Sequence, residues 1–235
     1  MSDRIDRKEL RTDGFAVAVE HNVEFVGSHR AEFIRYGALA LVVLVLGGTY
    51  AWYRGYAHDV RQEKLGDAIQ IQESSVTPGA LPGPLSFATD QAKRDAANKA
   101  FGDVASQYSG TREGWVAEYY LACIAADAGK LDDARKRFQQ VADHGNKEYA
   151  SLAKLSLADT AFVEGRSADG EKLLKDLMDN PTVFVSKEQA TISLAHHYAA
   201  VNNTAEARKL LQPLTTTPNG ASQAAVQMLG DLQSQ

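Results

Sequence analysis

The sequence predicts an all-α chain in which one N-terminal transmembrane helix is followed by a helical-repeat solenoid. Three observations carry that prediction. Residues 36–53, YGALALVVLVLGGTYAWY, hold no charged side chain. From residue 90 onward there is no strand-like alternation of apolar and polar residues. The same region contains four blocks of one pattern, spaced 37, 36 and 37 residues apart.

The apolar stretch is long enough to cross a bilayer. As a helix it measures about 27 Å at about 1.5 Å per residue, against a hydrocarbon core of about 30 Å. A helix satisfies its own backbone hydrogen bonds and can therefore sit in lipid. Tyr36 at one end and Tyr50, Trp52, Tyr53 and Tyr56 at the other match interfacial belts, and Arg35 and Arg54 bracket the span. The alternative is a buried core helix, which seldom carries aromatics and arginines at both ends. A cleavable signal peptide fits poorly. The stretch starts late, and aromatic residues occupy the place where a small-x-small cleavage site is needed.

Residues 1–35 are read as a mixed-charge tail. Thr12 or Asp13 can cap a helix on which Phe15, Val19, Val23 and Val26 share a face. That amphipathic segment either lies on the membrane surface or docks a partner. Positive charge leaves orientation open. The tail carries Arg4, Arg7, Lys8, Arg11, Arg30 and Arg35 against Arg54, Arg61 and Lys64 on the other flank, but the nearest twenty residues hold two against three.

Residues 54–90 are expected to form a juxtamembrane helix and a linker. Val60, Leu65, Ala68, Ile69 and Ile71 are only loosely periodic, and three prolines and two glycines within residues 74–86 end the helix.

Residues 91–235 form the repeat domain. The four blocks read ANKAFGDV, ARKRFQQV, GEKLLKDL and ARKLLQPL and open at Ala97, Ala134, Gly170 and Ala207. The fifth place is Phe101, Phe138, Leu174 or Leu211, and the eighth is Val104, Val141, Leu177 or Leu214. Places one, five and eight fall on one helical face. Upstream of the last three blocks stand Leu121-Ala122, Leu157-Ala158 and Leu194-Ala195, followed by Ala125, Ala161 and Tyr198. Gly129, Gly165 and Asn202 occupy the turns, where a left-handed backbone is wanted. Each unit is thus helix, tight turn, helix. The first block lacks a clear leading helix, which gives about three repeats plus a half repeat. Ser186 to Gln189 has capping-box spacing, and residues 221–232 read as a helix capping the last unit.

A helix–turn–helix unit of this kind resembles the tetratricopeptide repeat. The three Leu-Ala pairs stand where that motif has Leu-Gly. Ala134 and Ala207 stand at its packing alanine, with Gly170 as the exception, and Pro181 and Pro218 lie near its closing proline. The whole layout of tail, span, helix, linker and degenerate repeats resembles the YfgM-like family of bacterial inner-membrane proteins, ancillary subunits of the Sec translocon. That resemblance implies a cytoplasmic N terminus and a periplasmic repeat domain. It also implies partners among membrane-anchored periplasmic chaperones and the translocon.

Little points to catalysis. There is no nucleophile elbow, P-loop, dinucleotide fingerprint or zinc-protease motif. A net charge of −5 and the lack of a basic run argue against nucleic acid, and a single cysteine excludes an intrachain disulfide framework. His196 and His197 point about 100° apart on a helix of 3.6 residues per turn, so they cannot chelate one metal alone and are read as surface or groove histidines. Cys123 is read as a small packing residue, and Asp132-Asp133 as capping a helix start. No catalytic, cofactor or metal site is expected.

The leading helices of stacked pairs line a concave face. On this register Tyr119, Leu155 and Ile192 form one row, Cys123, Asp159 and His196 the next, with Asp127 and Phe162 beyond. An apolar row beside acidic groups can hold a peptide; the competing reading is that Leu155 and Ile192 pack internally. Three functions remain. The first is a membrane-anchored protein-binding adaptor. The second is a membrane-tethered enzyme using Cys123, Asp159 and His196. The third is a scaffold self-associating through Gly47-Gly48 or the repeats, as a homo-oligomer.

Overall fold

A computed structural model describes residues 30–79, 83, 85–216 and 220–233 of the chain, with side chains from Ile34 onward. The expected amphipathic helix of the tail lies outside the described residues. The chain divides into two compact units, Met1–Asp59 and Val60–Gln235.

The described part of the first unit is helical. Helix α1 (Arg30–Glu73) is 44 residues long, and every side chain from 36 to 53 is exposed. The window apolar enough to cross a membrane is 0% buried within the structure, so the buried-core alternative does not describe it. Thr49 donates its hydroxyl to the Val45 carbonyl at 2.7 Å, which satisfies the one aliphatic polar side chain of the stretch within its own helix. Trp52 stacks on Tyr56 with ring centres 6.1 Å apart, and the Arg54 guanidinium lies 5.9 Å from the Tyr50 ring.

The second unit is a succession of helices: α2 (Asp90–Gln107), α3 (Arg112–Asp127), α4 (Leu131–His144), α5 (Lys147–Val163), α6 (Ser167–Asp179), α7 (Lys187–Ala200), α8 (Thr204–Leu211) and α9 (Gly220–Asp231). No strand occurs among the described residues; two isolated bridges, Val76 to Phe87 and Gly83 to Ser86, lie in the Pro/Gly segment. Helices α2, α3 and α7 have a local reason to start. Thr89, Thr111 and Ser186 accept hydrogen bonds from the amides of Ala92, Gly114 and Gln189 at 3.1, 3.2 and 3.1 Å.

The pairs α3–α4, α5–α6 and α7–α8 are joined by one turn used three times. Gly129, Gly165 and Asn202 have φ of 74°, 75° and 60°. Their amides bond to the carbonyls of Ala126, Phe162 and Ala199. The next amides, of Lys130, Arg166 and Asn203, reach back to Ala125, Ala161 and Tyr198 at 2.9, 2.7 and 2.8 Å. This double bond pattern closes a helix around a left-handed residue. The expectation for these three positions is met in full.

The face formed by places one, five and eight is buried as expected. Ala97, Ala134 and Ala207 are 0% exposed, and Phe101, Phe138, Leu174 and Leu211 at most 2%. Leu214 departs, lying half-buried in a short 3-10 segment (Gln212–Thr216). Pro213 has no amide to continue α8. Gly170 also departs from the alanine pattern, for a steric reason. A Cβ there would lie 2.3 Å from the Phe162 ring. Phe162 occupies the place held by Ala126 and Ala199 in the other units, so a large residue on one helix is matched by the loss of a methyl on the next.

The core is a chain of four clusters. Leu65 and Ala68 of α1 pack with Phe101, Val104, Val116 and Leu121 in the first. The second gathers Ala122, Phe138 and Leu157, the third Ala158, Leu174, Val185 and Leu194, and the fourth Ala195, Leu211, Ala225 and Leu232. The last contains α9, as expected of a capping helix. The first supplies what the sequence left open: residues 60–73 of α1 lie against α2 as the leading helix of the half repeat. A polar contact fixes them. Glu113, 2% exposed at the start of α3, accepts from Arg61 Nε at 3.2 Å and Gln62 Nε2 at 3.1 Å. Burial pushes its carboxyl up, but its own backbone amide, Gln62 and Arg61 outweigh this and hold it below the usual glutamate range.

Candidate protein-binding groove

The eight side chains expected on the groove come from α3, α5 and α7 and divide into a floor and a rim. Tyr119, Cys123, Leu155, Phe162 and Ile192 are half-buried and pack at the edges of the second, third and fourth clusters. Leu155 and Ile192 each pack against a core cluster and keep some surface. Asp127, Asp159 and His196 are exposed.

The structure brings Asp159, Phe162 and His196 together at one pocket of about 480 Å³, between the C-terminal turns of α5 and α7. Its walls add Val163, His197 and Val201. Tyr119 and Cys123 lie elsewhere along the row, both on the second core cluster. Burial pushes the tyrosine hydroxyl up, and the Cys123 thiol likewise. A raised thiol holds little thiolate at neutral pH and is a poor nucleophile. Asp159 is surface-accessible yet crowded, and lost hydration pushes its carboxyl up while His196 pulls it back.

Two sequence expectations are corrected. His197 lines the pocket but is not a surface residue: it is 7% exposed and lies flat on Phe162, with ring centres 3.7 Å apart and planes 10° from parallel. The signal was present, because His197 is three residues after Leu194 and shares its inward face. Asp132 and Asp133 do not cap α4. They stand in its first turn and pair with Arg135 at 2.6 Å and Arg137 at 3.4 Å. Sequence reasoning also misses a set of aromatic residues that periodicity does not single out. Tyr149 lies 5.4 Å from Tyr119 and 5.5 Å from Phe184, and Tyr120 lies 5.9 Å from Tyr119 and 4.7 Å from Phe101. These rings form one continuous line from α2 to the loop before α7. Tyr149 was invisible to the repeat alignment because no other unit has an aromatic residue at that place.

Among the described residues no group of three or more His, Cys, Asp or Glu side chains is placed to hold a metal ion.

In-register helix pairs, left-handed turns after each leading helix and a face of half-buried side chains define a helical-repeat protein. The family model of the tetratricopeptide repeat-like domain matches residues 33–181. The match covers more than half of the chain, which belongs to that family. Domains of this family generally bind other proteins. No curated protein and no solved structure matches the chain.

Proposed function

We propose that this chain is a single-pass membrane-anchored adaptor. Residues 36–53 hold it in a bilayer, and the repeats bind other polypeptides along the face of α3, α5 and α7. The observation that carries the reading is the fully exposed apolar stretch of α1 in a chain whose repeats belong to a protein-binding family. A helix with this much aliphatic surface in water is unfavourable at roughly 25 cal/mol per Å², and lipid removes that cost.

The resemblance to the YfgM-like family refines the reading. The N-terminal tail lies in the cytoplasm and the repeats in the bacterial periplasm, beside the Sec translocon and membrane-anchored chaperones. Two experiments test this. Protease added to intact spheroplasts is expected to digest the repeat domain; full protection would reverse the topology and remove the periplasmic partners. Crosslinking in native membranes followed by purification is expected to recover envelope proteins, and recovery of none above background would overturn the adaptor role.

A further inference from the structure

The pocket between α5 and α7 has a chemistry distinct from the rest of the groove. Its walls are apolar and unusually open to solvent: Val163 is 76% and Val201 53% exposed. Its charged group is Asp159, which makes no hydrogen bond and no ion pair among the described residues. Two helices end there, α5 at Val163 and α7 at Ala200, and the partial negative charge of a helix C terminus favours a cation. The arginine next to the pocket is committed elsewhere. Arg166, beside the pocket, is held by Glu164 at 2.6 Å and Asp169 at 2.8 Å. Facing Asp159 across the pocket are His196, exposed, and His197, fixed against Phe162.

We propose that this pocket receives an arginine or lysine side chain of a bound polypeptide, its aliphatic stem on Phe162, Val163 and Val201 and its cationic head against Asp159. Long basic side chains bury their stems on apolar surface while the charge reaches a polar partner. The volume of about 480 Å³ admits such a side chain with its backbone. The proposal rests on the adaptor reading of the groove and adds the chemistry of what is bound.

The test uses the full chain in detergent micelles and three unstructured Gly/Ser-flanked peptides that differ only at a central residue: arginine, its neutral isostere citrulline, or glutamate. Binding is followed through the side-chain resonances of His196 and His197 in the pocket and of Tyr119 and Leu155 along the rest of the groove. The arginine peptide is expected to shift the histidine resonances and to bind about two- to fivefold more tightly than the citrulline peptide, the scale of a solvent-exposed ion pair. Asp159→Asn, at an exposed site, is expected to abolish the difference while leaving the fold intact by circular dichroism. Equal binding of the citrulline or glutamate peptide overturns the proposal. Peptides that perturb only the Tyr119–Leu155 part of the groove overturn it but leave the adaptor reading standing. Absence of binding by any peptide, together with absence of crosslinked partners, removes both.

Discussion

Gly170 and Phe162 carry one decision between them. A Cβ at Gly170 would fall 2.3 Å from the Phe162 ring, so Gly170→Ala is expected to cost about 1–3 kcal/mol by overpacking. Adding Phe162→Ala is expected to cost less than the sum of the two single changes, because each removes the other's conflict. Urea unfolding of the full chain in detergent measures both; strict additivity would mean the two sites are independent. Asn202, at φ 60°, invites a second substitution. Asn202→Ala is expected to cost up to about 1 kcal/mol, because alanine keeps the Cβ in the left-handed backbone without asparagine's greater tolerance of that conformation. Asn202→Gly is expected to be neutral or stabilising. Glu113 adds a pH dependence. Its folded pKa is depressed, so its contribution to stability is present above the ordinary glutamate pKa of about 4.3 and lost as pH falls through the lower folded value. Glu113→Gln is expected to flatten the acid limb of the stability profile, and an unchanged limb would assign that limb to other carboxylates.

At the scale of elements, the four clusters follow one another along the chain, and each is built from neighbouring helices. In such an array stability is close to a sum of local terms. Leu65→Ala removes a side chain from the first cluster only and is expected to cost about 2–3 kcal/mol. Hydrogen exchange of the full chain is expected to lose protection in α2 and α3 while α8 and α9 keep theirs. Uniform loss would show that the solenoid unfolds as one unit. The same experiment examines the polar latch from residues 60–73 to α3. Arg61→Ala leaves a buried carboxylate short of a partner and is expected to deprotect the same two helices, at a cost of about 1–3 kcal/mol.

For the whole molecule, the prediction concerns partition between water and lipid. Alkaline carbonate is expected to leave the chain in the membrane pellet. Val43→Arg together with Val45→Arg places two charges at the centre of the span, each costing about 2.5–3.5 kcal/mol on insertion scales, and is expected to release it. Retention of that variant would point to an attachment other than the helix. How much was legible beforehand follows from the range of the interactions involved. The left-handed turns, the Ser186 cap, the repeat spacing and the buried face are set by residues within one or two helical turns of each other, and those patterns are written in order along the chain. What went unread depends on neighbours distant in sequence. Leu65 and Ala68 meet Phe101 across the Pro/Gly segment, and the pair Leu65-Gly66 was the trace of a leading helix that the longer connection moved out of register. The line of rings from Phe101 to Phe184 draws each member from a different place in its unit, so no alignment of units displays it.

The sequence by itself determined that the chain is helical, that one helix is long and apolar enough to cross a membrane and that the rest repeats, because composition and periodicity act locally. Only the tertiary structure decided which of the groove residues share a pocket, that His197 faces inward on Phe162, and that Gly170 yields to that ring. Those outcomes depend on how close two helices approach, a distance set by the summed volumes of side chains that the sequence places dozens of residues apart.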